Sequence, residues 1–230
     1  NMSFTSRDTA RAADILMMMC KEKECTNILT LAGSTSAAGC MQVYVDMVRN
    51  KMIDVVVATG ASIIDMDLFE ALGFKHYIGE KENVIPDTTL RDLYIDRIYD
   101  TYIDEEELQA CDHTTFEIAN MLEARPYSSR EFIYEIGKWL HEGNAVKKDS
   151  LIQTCYECGV PIFVPAFSDS SAGFGIGKHQ WERMQKGEKY LSIDSVKDFI
   201  ELTQIKMQAP ETGLFMVGGG APKNFAQDTV

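Results

Sequence analysis

A chain of 230 residues, 45% hydrophobic and 25% charged, has ordinary globular composition and can bury a sizeable core without disulfides or metals. A formal net charge of −13 with no basic stripe argues against a nucleic-acid binder. No apolar run approaches the roughly 18 residues needed to cross a bilayer, so a cytoplasmic protein is expected, with an acidic surface suited to meeting a polycation.

The first stretch is a helical pattern that opens with charged residues and carries the short run Ile15 to Met19, which resembles neither a membrane span nor a signal peptide. Ile28 to Ala32 then has the length and β-branched content of a buried parallel strand. Met41 to Met52 follows as a helix, with Val45 and Val48 on one face, and Ile53 to Ala58 is a second strand. Asp104 to Leu122 reads as an acidic helical insertion. Ser128-Ser129-Arg130-Glu131 has the spacing of a capping box ahead of Phe132, Ile133, Ile136 and Leu140. Val160 to Val164 is a third strand, Val196, Phe199 and Ile200 mark another helix, and Leu214 to Val217 is a fourth strand that runs into three glycines. Strands alternating with helices of this length predict an α/β fold, Rossmann-like, with a mostly parallel sheet and helices on both faces. No linker or repeat divides residues 1–230, so a single domain is expected.

In open α/β sheets, ligands bind beyond the carboxyl ends of the strands. After the first strand come Gly33, Ser34, Thr35, Ser36, Ala37, Ala38 and Gly39, and after the second come Thr59, Gly60, Ala61 and Ser62. The third is followed by Pro165 to Gly173, which includes Asp169 among serines, and the fourth by Gly218, Gly219, Gly220, Ala221 and Pro222. Small and hydroxyl-bearing residues let phosphate or ribose approach the backbone, and N–H groups at a following helix start attract anions. Four such loops in one chain predict a shared nucleotide-sized site. The G-x-G-x-x-G fingerprint is absent, so a dinucleotide would sit in an unusual version of this fold.

Asp65, Asp67 and Asp169 are the carboxylates placed to meet a protonated amine. For Asp65 and Asp67 the competing role is N-capping of the helix at Leu68 and Phe69, and for Asp169 it is a turn. His76, His113, His141 and His179 read as surface or satisfied histidines, and Lys223 as a lysine facing anions or water. Cys155 and Cys158 form a C-x-x-C, but no second pair completes a zinc site. The six cysteines are therefore expected to be reduced and mostly buried, with no metal bound. A G-x-S-x-G elbow is also missing, which makes a hydrolase a distant choice.

At these loops the sequence resembles the deoxyhypusine synthase family. The matching stretches are Met52 to Ala61, His76 to Glu80, Gly159 to Asp169, and Gly218 to Asn224, in order and with spacing kept from about residue 3 onward. The resemblance implies a homotetramer of Rossmann-like subunits with active sites shared between paired chains. It also implies use of NAD to oxidise spermidine, with an aminobutyl group passed through a lysine imine to a protein lysine of a translation factor. Relatives within the family pass that group to a small amine, making homospermidine.

By position, the resemblance assigns NAD to Gly33, Ser34, Thr35, Ser36, Ala37, Thr59, Gly60, Ala61, Asp169 and Gly219. It places Asp65 and Asn224 on the side of the polyamine substrate. Ser34 stands where the family has asparagine, Phe174 where it has aspartate, and Asn224 where it has histidine; Asp65 and Met66 align with its acidic pair only across a gap. These departures point to a divergent, prokaryotic-looking branch whose amine donor or acceptor differs, or to a non-catalytic NAD-binding protein on the same scaffold. The family's nucleophilic lysine is expected beyond Val230. The stretch 1–230 then reads as a domain lacking its C-terminal part and inactive by itself.

Overall fold

The computed structural model describes residues 3–80 and 85–230. The chain opens with α1 (Phe4–Lys21) and β1 (Cys25–Leu31), and a π-helical turn at Ser36–Cys40 leads into α2 (Met41–Arg49). β2 (Val55–Ala58) runs into a longer π-helical segment, Ala61–Leu68, and the short α3 (Phe69–Ala71). Next come β3 (Tyr77–Ile78), α4 (Asp87–Asp92), β4 (Ile95–Ile98) and β5 (Thr101–Asp104). α5 (Glu105–Met121), β6 (Pro126–Tyr127) and α6 (Ser129–Trp139) follow, and a turn at Leu140–Asn144 precedes α7 (Leu151–Cys158). The last third holds β7 (Ile162–Phe163), α8 (Ser171–Gln185), β8 (Ser192–Ile193), α9 (Ser195–Gln208), β9 (Glu211–Val217) and α10 (Ala221–Gln227).

The four expected strands form one parallel sheet in the order β7-β2-β1-β9. Ile28 pairs with Val55, Leu31 with both Ala58 and Val217, and Val57 with Phe163. Alternate residues face opposite layers. Leu29, Leu31, Val56, Ala58 and Ile162 pack with Val45 and Val48 of α2, Phe132 and Ile136 of α6, and Ile152 of α7. Ile28, Val55, Val57 and Phe163 meet Leu202 of α9 and Ala226 of α10. Helices cover both faces, which is why these strands read as unbroken apolar runs. Each fully buried aliphatic or aromatic side chain contributes about 1.5–3 kcal/mol.

Two features depart from the sequence reading. β3, β4 and β5, not read as strands from the sequence pattern, build an antiparallel sheet in the order β3-β5-β4. Its hairpin turns through Tyr99 and Asp100, with Tyr99 at φ 54, and lacks the glycine that usually signals such a turn. The acidic segment expected as an insertion is instead part of the core. Asp104 caps α5 by accepting from Glu106 N and Glu107 N, and Glu105, Glu106 and Glu107 suit the positive end of the helix. Behind them Cys111, Thr115, Phe116, Ile118 and Ala119 are buried. The charges at the front of α5 masked an apolar face farther along.

The capping box is present as read: Ser128 accepts from Glu131 N, and the Glu131 carboxylate accepts from Ser128 N. All six cysteines are free, but only Cys111 and Cys155 are buried, and Cys158 is exposed. The C-x-x-C lies on α7, with Cys155 buried and Cys158 exposed; Gly159, in the left-handed region at φ 71, stops that helix.

Candidate functional site

Because the sheet is parallel, all four strand-end loops emerge on one edge. The strand order places them side by side as 165–171, 59–62, 32–36 and 218–221. Hydrogen bonds stitch the middle two together. Thr59 N donates to Leu31 O (3.0 Å), Ser62 Oγ to Gly33 O (2.6 Å), Thr59 Oγ1 also to Gly33 O (3.2 Å), and Ser36 Oγ to Ser62 O (3.1 Å). On one flank, Ala32 N donates to Val217 O (3.0 Å), joining the fourth loop to the first. On the other, Gly60 is buried so closely against Ser170 that a Cβ there would lie 2.4 Å from the Ser170 Cβ.

The candidate residues therefore divide. Ser36 is buried and its hydroxyl is spent on Ser62 O, while Gly60 is buried against Ser170. Both hold the edge together instead of facing outward. Thr59 shares its hydroxyl with the Gly33 carbonyl. Gly33, Gly219 and Asp169 are exposed, and Ser34, Thr35, Ala37 and Ala61 are half-buried. A Cβ placed on Gly33, Gly219 or Gly220 would meet nothing within 4 Å. Such open backbone, on the same edge of the sheet as exposed Asp169, can receive a phosphate- and ribose-bearing group, so the residues present fit a dinucleotide cofactor.

The two residues expected beside the amine are not brought together within the chain. Asp65 lies on the segment after β2 and contacts the start of α8, whereas Asn224 is exposed on α10, after β9 at the far edge of the sheet. The expected capping role of Asp65 and Asp67 is real but is exercised on other helices. Both lie inside Ala61–Leu68, well past its first turn. Asp65 Oδ1 accepts from Ser171 N of α8 (2.7 Å). Asp67, 2% exposed, accepts from Leu151 N and Ile152 N of α7 (2.8 Å each). Asp198 of α9, fully buried, likewise accepts from Arg130 N of α6 (3.3 Å).

Sequence reasoning missed Asp112, and it placed Ser171 in the third loop without a role of its own. Asp112 comes from α5, and the Ser171 hydroxyl lies between it and Asp65. A cleft of about 690 Å³ opens here between α5 and α8, with Asp112, His113, Phe174 and Lys178 among its lining. Phe174 is 72% exposed, and Lys178 Nζ sits over the Phe116 ring at 4.6 Å. The histidines are partnered as expected. His179, buried, takes Asn120 Oδ1 (2.8 Å) on one ring nitrogen and the Leu191 N–H (3.0 Å) on the other. His76 contacts Glu70 (3.0 Å) and His141 contacts Glu157 (3.0 Å).

Burial pushes the Asp65 carboxyl up to about 6 against the pull of Ser171, with Asp112 and Asp169 adding to the rise. It pushes Asp67 up to about 7 and Asp198 up to about 6, again against N–H donors. A carboxyl whose pKa is higher folded than unfolded stabilises the fold fully below its unfolded value, and that contribution is lost as pH rises through the folded one. For these three aspartates the window runs from about pH 4 to about pH 7. His179 opposes them, since burial lowers its pKa and charging it at low pH costs stability. Three groups outweigh one, and self-repulsion from the net charge of −13 acts in the same direction as the aspartates. The expected result is a thermal midpoint roughly 5 °C lower at pH 8 than at pH 5.5 in scanning calorimetry. A midpoint that rises between those values would contradict this assignment.

Fold and edge together define a doubly covered parallel α/β domain whose small-residue loops gather at the carboxyl ends of its strands. The sequence pattern of deoxyhypusine synthase matches residues 1–230, and the chain belongs to that family. It is 70% identical over 229 residues to a "Deoxyhypusine synthase-like protein" of Caulobacter vibrioides, an alignment covering 100% of this chain and 62% of that protein. A protein of the same description from Coxiella burnetii is 61% identical over 230 residues, covering 100% of this chain and 64% of its own length. The chain thus spans less than two thirds of the length of these relatives. A solved structure from Entamoeba histolytica, described under the name deoxyhypusine synthase, superposes with a TM-score of 0.69 at 19% identity. It covers 96% of this chain and 75% of that one, a likeness of fold.

Proposed function

We propose that the protein is an NAD-dependent aminoalkyl transferase that takes an aminobutyl group from spermidine or a related polyamine and passes it on through a lysine imine. The observation that carries this reading is the single edge on which four small-residue loops line up, with open backbone at Gly33, Gly219 and Gly220 and an exposed Asp169 in the loop after β7. NAD, when bound, supplies the hydride acceptor that makes an amine carbon electrophilic. The chain's own residues do the holding. Thr59, Ser62 and Ser36 fix the spacing of the two central loops, while Gly33 and Gly219 take the cofactor against their backbone and Asp169 accepts from a ribose hydroxyl. The flank with Asp112 and exposed Asp169 gives a protonated amine its compensating charge. No lysine among residues 1–230 is assigned as nucleophile; Lys223, in the first turn of α10 just past the triple glycine, serves anion contact.

In this reading the full protein works in the cytoplasm as a homotetramer whose sites are completed by paired chains, which accommodates Asp65 and Asn224 lying at opposite ends of one subunit's edge. The acceptor is a protein lysine or a small amine, as in homospermidine formation. Phe174 favours a second reading, a non-catalytic NAD-binding protein, because an exposed ring stands where the family resemblance implies a carboxylate.

The test incubates full-length protein with NAD and spermidine, putrescine or related amines, reduces with borohydride, and maps alkylated lysines by mass spectrometry. A lysine bearing an aminobutyl mass increment is expected, together with free homospermidine if putrescine is the acceptor. NAD binding without any adduct would leave the second reading standing and remove the first.

A further inference from the structure

α8 lacks a cap of its own at the start. Ser170 occupies the N-cap position, but its hydroxyl donates to Phe167 O (3.0 Å) and accepts nothing from the helix. The first N–H of α8, from Ser171, goes instead to Asp65 Oδ1 at 2.7 Å, from 106 residues away in sequence. The turn leading into the helix is tight: Asp169 N donates to Ala166 O (3.1 Å), and a Cβ on Gly173 would lie 2.3 Å from Ser168 O. Asp169 sits two residues ahead of the anchored N–H, and no hydrogen bond or ion pair is found for its carboxylate among the described residues.

Resting on the reading of this edge as a cofactor site, we propose that Asp65 is a positioning residue: it holds the start of α8 and so sets where the Asp169 carboxylate points, without contacting the amine. An uncapped N–H would leave the 168–171 turn free to shift, and Asp169 would shift with it. The role calls for an oxygen acceptor at this place, and the negative charge is secondary. Burial, which raises the pKa of Asp65, already disfavours the charge that amine binding would require.

The experiment compares full-length parent protein with Asp65→Asn, Asp65→Ala, Asp169→Ala and the Asp65→Ala/Asp169→Ala double variant. Three quantities are read: amide exchange at Ser171, the dissociation constant for NAD, and KM for spermidine. Asparagine keeps an acceptor oxygen, so Asp65→Asn should match the parent within about threefold in all three. Asp65→Ala should speed exchange at Ser171 and weaken NAD binding by roughly tenfold each, yet add less than about twofold in the Asp169→Ala background, because the two act as one unit. Should Asp65→Ala fail to fold, Asp65→Ser, too short to reach the N–H, takes its place. A large rise in spermidine KM for Asp65→Asn with NAD binding intact overturns the proposal, making Asp65 an amine ligand. Additive losses in the double variant, or unchanged exchange at Ser171 in Asp65→Ala, overturn it as well. Failure of the parent to bind NAD strikes at the function proposed above, while the exchange measurement still decides whether Asp65 anchors α8.

Discussion

Replacing Asp67 with alanine should lower the thermal midpoint by about 5–15 °C, among the largest effects of any polar substitution in the chain. The side chain is 2% exposed and receives two N–H bonds of 2.8 Å from Leu151 and Ile152. It thereby ties the segment after β2 to the start of α7, across more than eighty positions of sequence. Alanine leaves two buried donors without their acceptor, at about 1–3 kcal/mol each. For a domain of this size each kcal/mol moves the midpoint by roughly 2–4 °C. Asp67→Asn retains one acceptor oxygen but turns an NH2 group toward the second donor, so about half the loss should remain. A scan in which both variants melt within two degrees of the parent would show that α7 does not depend on this bond.

That prediction is large because of where Asp67 sits, and sequence position alone conceals it. Asp65 and Asp67 precede Leu68 and Phe69, the usual place for a local cap, and the sequence pattern points them to that helix. The segment instead starts at Ala61, and the two carboxylates, two residues apart, reach α8 and α7. A capping box such as Ser128-x-x-Glu131 is legible because both partners lie within four residues. A cap supplied from another element has no such signature.

The same distinction explains the rest of the comparison. Strands buried on both faces announce themselves as apolar runs, and all four are in place, with β1 and β9 longer than read because their ends are polar: Cys25 to Asn27, and Glu211 with Thr212. The antiparallel sheet is hidden by two- and four-residue strands and a Tyr99-Asp100 turn. At the edge, composition shows which loops converge but not which side chains face outward. Ser34 and Ser36 look alike in sequence, yet Ser36 is buried in a bond to Ser62 O. Asp112 gives no signal because its importance comes from the packing of α5 on α8.

Gly60 offers the second large effect, and it tests whether the edge is one unit. Its φ of −58 and ψ of −37 are ordinary helical values, so any L-residue could adopt its backbone. The obstacle is space alone. A Cβ would lie 2.4 Å from the Ser170 Cβ and 2.5 Å from its Oγ, and 3.4 Å from Asp169 O. Ser170 cannot simply turn away, since its hydroxyl is bonded to Phe167 O and the backbone beyond it enters α8. Gly60→Ala should therefore cost about 1–3 kcal/mol despite alanine's better helix propensity, and Gly60→Val more. In the full-length protein either change should weaken NAD binding by roughly tenfold or more, because it drives the Asp169 loop away from the Thr59 loop. Gly177→Ala supplies the contrast: it lies on helix α8, where an added methyl group would meet nothing within 4 Å, and should stabilise by up to about 1 kcal/mol. Pairing Gly60→Ala with Ser170→Gly removes the clash from the other side and should recover much of the lost stability, a coupling expected of residues in direct contact. If Gly60→Ala alone is as stable as the parent and binds NAD equally well, the two loops are not locked together, and the shared edge loses its physical basis.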